Sequence, residues 1–229
     1  EMATGIAHEL NQPLSAIVNF ANGCARRLRL DIGCKDELLE ALGQISAQAE
    51  RAGEIIKRLR GMVSRRQPNR EIVDVNVLAA ETCSMISHEL KRMEVKIEQQ
   101  LAARPLWVRV DSVQIEQVLL NLLRNALDAL AHIPAAARQL SIASGLQPDG
   151  MVFVSVRDNG AGISGKAMEH LFDPFYSTKE SGMGMGLAIS QTIMNHHHGK
   201  IRADSWLGKG STFTIELPPS VDAVVSVAS

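Results

Sequence analysis

The sequence predicts an α+β protein: a helical hairpin forming a dimeric four-helix bundle, followed by an α/β sandwich whose mixed sheet is covered by helices. Three observations predict it. Apolar residues recur in alternating steps of four and three through residues 1–66. From residue 71 onward, short strand-like runs alternate with helical ones. Two glycine-rich turns, around Gly160 and Gly184, punctuate that second region.

The hairpin comes first in the chain. Leu10, Leu14, Ile17, Ala21, Cys24 and Leu28 form one stripe, and Leu38, Leu42, Ile45, Ala49, Ala52, Ile56, Leu59 and Val63 form another. This is the seam of a coiled coil. Between them Asp31 to Asp36 supplies a turn, with Gly33 as a C-cap and Asp36 as an N-cap. One such hairpin has a thin core, so a homodimer is expected. Residues 67–70, with Pro68 and Asn69, break the second helix and serve as a linker. From Glu50 to Arg70 seven basic residues stand against two acidic ones, which suits a solvated face near a helix C-terminus.

Residues 71–217 form the second domain. Ile72 to Val75 reads as a strand, with Asn76 capping a helix to about Leu90. Glu94 to Leu101 and Leu106 to Val110 read as further strands. Asp111 with Gln114 makes a capping box for a helix to about His132. A hairpin is expected around Gln147 to Gly150, joining strands 140–146 and 151–157. Helix fragments and loop fill 164–185, a helix covers 186–197, and two strands follow at 200–206 and 211–217. Residues 218–229 read as a disordered tail.

Composition bounds the function. The 229 residues are 45% hydrophobic and 21% charged, with a net charge of -1, ordinary for a soluble protein. That balance and the 3% aromatic content speak against a nucleic-acid partner. Three cysteines, Cys24, Cys34 and Cys83, lack metal-type spacing and fit a reduced, cytoplasmic setting. No stretch reaches the ~20 apolar residues needed to cross a bilayer. Because the chain opens at Glu1 in mid-helix pattern, it reads as a fragment, with membrane anchorage of the parent left open.

Chemistry concentrates in four short signatures in a fixed order. HELNQPL begins at His8, NLLRNALDA at Asn121, DNGAGI at Asp158 and GMGMGLAI at Gly182. Asn121, Asn125 and Asp128 fall on one stripe of a helix, and asparagine carbonyls suit Mg²⁺. Asp158 ends a strand, placed to accept from an exocyclic amine, and Gly160 and Gly162 let the backbone approach a flat base. Gly182, Gly184 and Gly186 lead into a helix whose first N–H groups make a phosphate cradle. No Lys-Ser/Thr follows them and no strand precedes them, so the pattern is neither Walker A nor Rossmann. His8 lies on a polar stripe with Gln12, Ser15, Asn19, Asn22 and Arg26, opposite the seam, with Pro13 expected to loosen the helix nearby. His196, His197 and His198 project in three directions and read as a helix terminus, not a metal site.

These residues resemble the gyrase, chaperone, histidine-kinase and mismatch-repair ATPase superfamily. Phe172-Asp173-Pro174-Phe175-Tyr176-Ser177-Thr178-Lys179 resembles the phenylalanine motif of histidine kinases, and Gly208 to Phe213 their closing turn and final strand. HELNQPL is similar to the subgroup of rhizobial oxygen-, dicarboxylate- and tetrathionate-sensing kinases. The resemblance implies ATP and Mg²⁺ as cofactors. Asn125, helped by Asn121, would hold the metal. Asp128, Leu187 and Thr212 would line the nucleotide with Asp158 and the glycines, and Lys179 would sit in a lid over phosphate. His8 would be the phosphoacceptor and Glu9 its proton acceptor. Gln12 stands where the family positions water for dephosphorylation, usually with Thr or Asn. A response-regulator receiver domain would be the partner. Another ATPase of the superfamily or a nucleotide-binding scaffold are the alternatives; HELNQPL on a heptad hairpin and the intact Asn125, Asp158 and glycine set argue against them.

Overall fold

The computed structural model describes residues 2–30, 35–63, 69–178 and 184–220, with side chains in α1 and α2 described for 11–30, 35–50, 52 and 53. The chain divides into two compact units, Glu1–Arg65 and Arg66–Ser229.

The first unit is a pair of 29-residue helices, α1 (Met2–Leu30) and α2 (Lys35–Val63). Pro13 lies inside α1, buried, and the helix assignment continues through it. The expected C-cap Gly33 lies outside the described residues. Asp36 is not the N-cap, because α2 already begins at Lys35; it sits in the first turn with Glu37, where a carboxylate favours the helix dipole. Arg27 of α1 pairs with Glu37 at 2.8 Å, both half-exposed, an interaction of modest worth. Leu14, Val18, Leu39 and Leu42 remain 43–55% exposed, which is apolar surface one hairpin cannot cover.

The second unit carries the core. Its elements run β1 (Glu71–Asp74), α3 (Val75–Met85), α4 (Ser87–Arg92), β2 (Ile97–Gln100), β3 (Trp107–Val110), α5 (Ser112–Leu130), β4 (Leu140–Leu146), β5 (Val152–Asp158), α6 (Gly165–Glu169), α7 (Gly186–His196), β6 (Lys200–Trp206) and β7 (Gly210–Leu217). The main sheet has five strands in the order β2-β4-β5-β7-β6, with only β2 and β4 parallel. In place of one mixed sheet, β1 and β3 form a separate antiparallel pair. Helix α5 is the spine of the helical layer: Ile115, Val118, Leu119, Leu122, Leu123, Ala126, Leu127 and Leu130 are all buried. They recur at helical spacing and meet the buried parity of β5 and β7, Val152, Val154, Val156, Phe213, Ile215 and Leu217. Each fully buried leucine or isoleucine contributes about 1.5–3 kcal/mol, so this layer is the main source of stability.

Several boundaries differ from the sequence reading, each for a local reason. Asp74, not Asn76, caps α3, accepting from the Asn76 backbone N–H at 3.0 Å. The Asn76 amide instead donates to the Ala102 and Arg104 carbonyls and accepts from Ser144. The expected long helix breaks at Ile86 into α3 and α4, and the strand expected from Glu94 shortens to Ile97–Gln100. Helix α5 ends at Leu130 rather than His132. Of the tail expected at 218–229, Pro219 bridges Val108 and the Ser220 N–H donates to the Trp107 carbonyl at 2.8 Å, while residues 221–229 lie outside the described residues.

At the end of α5 the orphan carbonyls of the last turn meet Arg138. Its Nε donates to the Leu130 and Ile133 carbonyls at 3.1 and 2.9 Å, and its Nη1 donates to the Met93 carbonyl. A guanidinium closing a helix C-terminus combines charge-assisted hydrogen bonds with the dipole. Replacing Arg138 with Ala is expected to cost about 2 kcal/mol of stability, because the buried carbonyls lose their donors. Chemical denaturation checks this; a midpoint unchanged from wild type would remove Arg138 from the structural frame.

Candidate active site

Three segments converge beside α5: the end of β5, the start of α7 and the hairpin between β6 and β7. Asp158 is the last residue of β5 and is buried, 3% exposed. Its Oδ1 accepts the Gly160 N–H at 2.8 Å, so the carboxylate organises the turn that follows it. The glycines there are required by close approach. A Cβ on Gly160 would lie 2.6 Å from the Ala129 carbonyl oxygen of α5. Gly162 has φ +70, and a Cβ there would meet the Trp206 carbonyl oxygen at 2.1 Å. Asn159 fastens the outside of the turn, donating to the Ala137 carbonyl and accepting the Gln139 N–H.

The second glycine turn works the same way. Gly184 takes φ +62 and packs where a Cβ would lie 2.4 Å from the Tyr176 carbonyl oxygen. The Phe175 N–H donates to the Gly184 carbonyl at 3.1 Å, joining the phenylalanine motif to this turn. Just before that motif His170 bonds its Asp173 at 2.8 Å, and the His170 ring lies 5.4 Å from that of Tyr176. Phe172 and Phe175 are half-buried, as packing residues would be. Gly186 opens α7 against Asn121, whose Oδ1 a Cβ would meet at 2.4 Å. Asn121 donates from Nδ2 to Ser190 Oγ, which donates in turn to the Gly186 carbonyl. Among the described residues no side chain caps the start of α7.

Asn121 therefore ties α5 to α7. One turn on, Asn125 is half-buried with its amide unclaimed among the described residues, and Asp128 is exposed. Leu187 is half-buried in the first turn of α7. His8 and Glu9 lie within α1, but their side chains are outside the described residues, as are Lys179 and Gly182 altogether. Gln12 is exposed on α1, along with Ser15, Asn19, Asn22 and Arg26.

Thr212 is corrected by strand register. In the antiparallel pairing Asp158 lies opposite Ser211, and Thr212 lies opposite Arg157. Side chains alternate along a strand, so Ser211 shares the helix-covered face with Asp158 while Thr212 points to the other face. Ser211 is buried and its Oγ lies 2.9 Å from Ser205 Oγ. Ser205 donates to the Gly210 carbonyl and accepts the Ile163 N–H, so Ser211 is the donor between the two hydroxyls. The parity of Phe213, Ile215 and Leu217 was the signal that places Ser211 inward.

His197, read from the sequence as part of a helix terminus, is the C-cap of α7 and has a further role. It is 2% exposed, with Nδ1 2.8 Å from the Ile193 carbonyl and Nε2 accepting the Asp111 N–H at 3.0 Å. The capping box expected at Asp111 is thus half-formed. Asp111 accepts from the Gln114 N–H, but the return bond to the Asp111 N–H comes from His197 instead of Gln114.

The second unit is an ATPase module by class: residues 110–221 match the family described as histidine kinase-, DNA gyrase B- and HSP90-like ATPase. Residues 1–68 match the His Kinase A (phospho-acceptor) domain. With the two together, the chain belongs to the histidine kinases by family. It is 38% identical to the C4-dicarboxylate transport sensor protein DctS of Rhodobacter capsulatus over 95% of this chain and 33% of that protein. It is also 38% identical to the sensor protein FixL of Bradyrhizobium diazoefficiens, over 95% of this chain and 43% of that protein. The chain therefore spans less than half the length of these relatives. Among solved structures, histidine kinase ThkA in complex with the response regulator protein TrrA matches at TM-score 0.75 and 25% identity, covering 96% of this chain and 61% of that one. The catalytic domain of ThkA alone matches at TM-score 0.58 and 29% identity, over 66% of this chain and 95% of that domain.

Gly162→Ala is expected to lower the stability of the second unit by roughly 2 kcal/mol or more, since both φ and the Trp206 carbonyl exclude a side chain. Thermal unfolding reads it, and a wild-type melting temperature would show that the turn tolerates rearrangement.

Proposed function

We propose that this chain is the kinase core that phosphorylates itself on His8 from ATP and passes the phosphoryl group to an aspartate of a response-regulator receiver domain. The observation that carries the reading is the buried Asp158 carboxylate between two turns that admit no side chain, on the same chain as a phosphoacceptor-type helix. Asp158 accepts from the adenine amine, with Ser211 beside it on the same face. The N–H groups at the start of α7, which no side chain caps among the described residues, face phosphate, and Lys179 and Gly182 precede them in the chain. Asn125, with its amide unclaimed among the described residues and Asp128 a turn beyond, fits a hard divalent ion. Mg²⁺ there supplies neutralisation of phosphate charge.

In the transfer step a neutral His8 ring nitrogen bonds the γ-phosphorus as the bond to the ADP oxygen breaks, giving phosphohistidine and ADP. Glu9 takes the proton from the other ring nitrogen, keeping the attacking one basic. The phosphoryl group then moves from His8 to a receiver carboxylate as the N–P bond breaks, and the proton held by Glu9 returns to the ring, leaving the imidazole neutral again. The exposed stripe of Gln12, Ser15, Asn19, Asn22 and Arg26 is the docking face. ThkA, the structural neighbour with a bound response regulator, supports this partner class. The exposed leucines of α1 and α2 are covered by a second copy, closing a four-helix bundle.

His8→Gln is expected to abolish acid-labile, alkali-stable labelling from γ-labelled ATP while ATP affinity stays near normal. Label persisting on that variant would remove His8 as acceptor. Asp158→Asn presents a donor where adenine also donates, so ATP affinity should fall at least ~10-fold, the loss of one charged hydrogen bond. Unchanged affinity by calorimetry would count against the pocket. Charged residues at Leu42 and Ile45 should give monomers by light scattering that still bind ATP; a wild-type monomer at every concentration would refute the bundle.

A further inference from the structure

The far end of the cleft holds a junction with no part in the chemistry above. Helix α7 begins at the candidate phosphate cradle and ends at His197; α5 carries Asn121 and Asn125 and begins at Asp111. The two helices are joined twice. Asn121 meets Ser190 near the cleft, and His197 meets the Asp111 N–H at the other end. His197 is buried, and both of its ring nitrogens are committed. A proton on Nδ1 donates to the Ile193 carbonyl, which leaves Nε2 as the acceptor for Asp111. Only the neutral ring with that tautomer satisfies both contacts.

The residues that lead into the second unit fasten to the same place. The Asn69 N–H donates to Asp111 Oδ2 at 3.1 Å, Arg70 donates to the His196 carbonyl, and Ser112 donates to Glu71 at 2.7 Å. Three segments thus meet at one point, with the His197 imidazole between them: residues 69–71, the start of α5 and the end of α7.

We propose that His197 is a proton-gated clasp: its neutral ring locks the end of α7 to the start of α5, and protonating the ring opens the lock and weakens nucleotide binding. The inference rests on the nucleotide site proposed above. A proton added to Nε2 of the buried ring would face the Asp111 N–H, donor against donor. The charged and titratable neighbours are Arg70 from the segment before β1, Asp111 from the start of α5 and His196 on the same helix. Burial is the largest influence and holds the pKa below the ordinary 6.5; Arg70 and His196 act with it, while the Ile193 hydrogen bond and the Asp111 carboxylate oppose. Since the folded pKa is the lower one, the unfolded chain takes up the proton first. The contribution to stability is full above about pH 6.5 and is lost as pH falls below it, through the folded pKa. His197 is a positioning residue, acting through the two helices.

The test compares wild type with His197→Gln, measuring ADP affinity by calorimetry and Asp111 amide exchange by NMR from pH 7.5 to 5.5. Gln offers an acceptor to Asp111 but does not titrate, and the titration of ADP itself is common to both proteins. Wild type should lose at least ~5-fold more affinity across that range than the variant, the low end of ordinary coupling between sites. The wild-type Asp111 amide should be protected at pH 7.5 and lose protection on acidification, while protection in the variant stays independent of pH. Equal pH dependence in both proteins, or an Asp111 amide in wild type that ignores pH, would overturn the clasp. Amide exchange reads the clasp without nucleotide, so a wild type that binds no ADP at pH 7.5 counts against the nucleotide site instead.

Discussion

The structure of the second unit depends on how closely α5 approaches its neighbours. At Gly160 the turn after β5 presses on the Ala129 carbonyl, and at Gly186 the start of α7 presses on the Asn121 amide. Neither contact leaves room for a methyl group. The two turns can come this near only because the leucine face of α5 is already fixed against the sheet by burial of eight side chains. Packing on one side of the helix thus sets the dimensions of the polar cleft on the other.

Polar fastenings then hold the parts that packing does not. Asn121, Ser190 and the Gly186 carbonyl form a chain across the cleft wall. Asn159 and Arg138 hold the loop and helix end beneath the Asp158 turn. Ser205 gathers the Gly210 carbonyl, the Ile163 N–H and the Ser211 hydroxyl at the tip of the β6–β7 hairpin. Each is a side chain satisfying backbone groups that a turn leaves unpaired, which is why buried loops can be tolerated around this site. Among the described residues these bonds hold the walls of the cleft, and held geometry of this kind suits the phosphoryl transfer proposed for it.

Much of this was legible in the sequence. Heptad spacing and helical periodicity located α1, α2 and α5, and Asp111 stood out as a cap. The glycines signalled turns, although the reason each must be glycine lay in distant partners such as Trp206 and Tyr176, which no local pattern reveals. Asn76 was misread as the cap because Asp74, two residues earlier, caps the helix by accepting the Asn76 N–H, leaving the Asn76 side chain to bridge Ser144 and the 102–104 turn. Thr212 was misassigned although strand parity was available to place Ser211 inward. His197 was illegible for a different reason. A histidine at a helix end looks like a solvated residue, and only a contact 86 positions away turns it into part of the frame.

The central claim is that nucleotide sits between α5, the Asp158 turn and the start of α7. Its most direct test is NMR of the isotope-labelled chain titrated with a non-hydrolysable ATP analogue and Mg²⁺. The account predicts large shifts at the Gly160 and Gly162 amides, the Asn125 side chain and Ser211, with little change at Arg157 and Thr212 on the opposite face. Shifts centred on that opposite face, or none near Asp158 and Asn125, would contradict it.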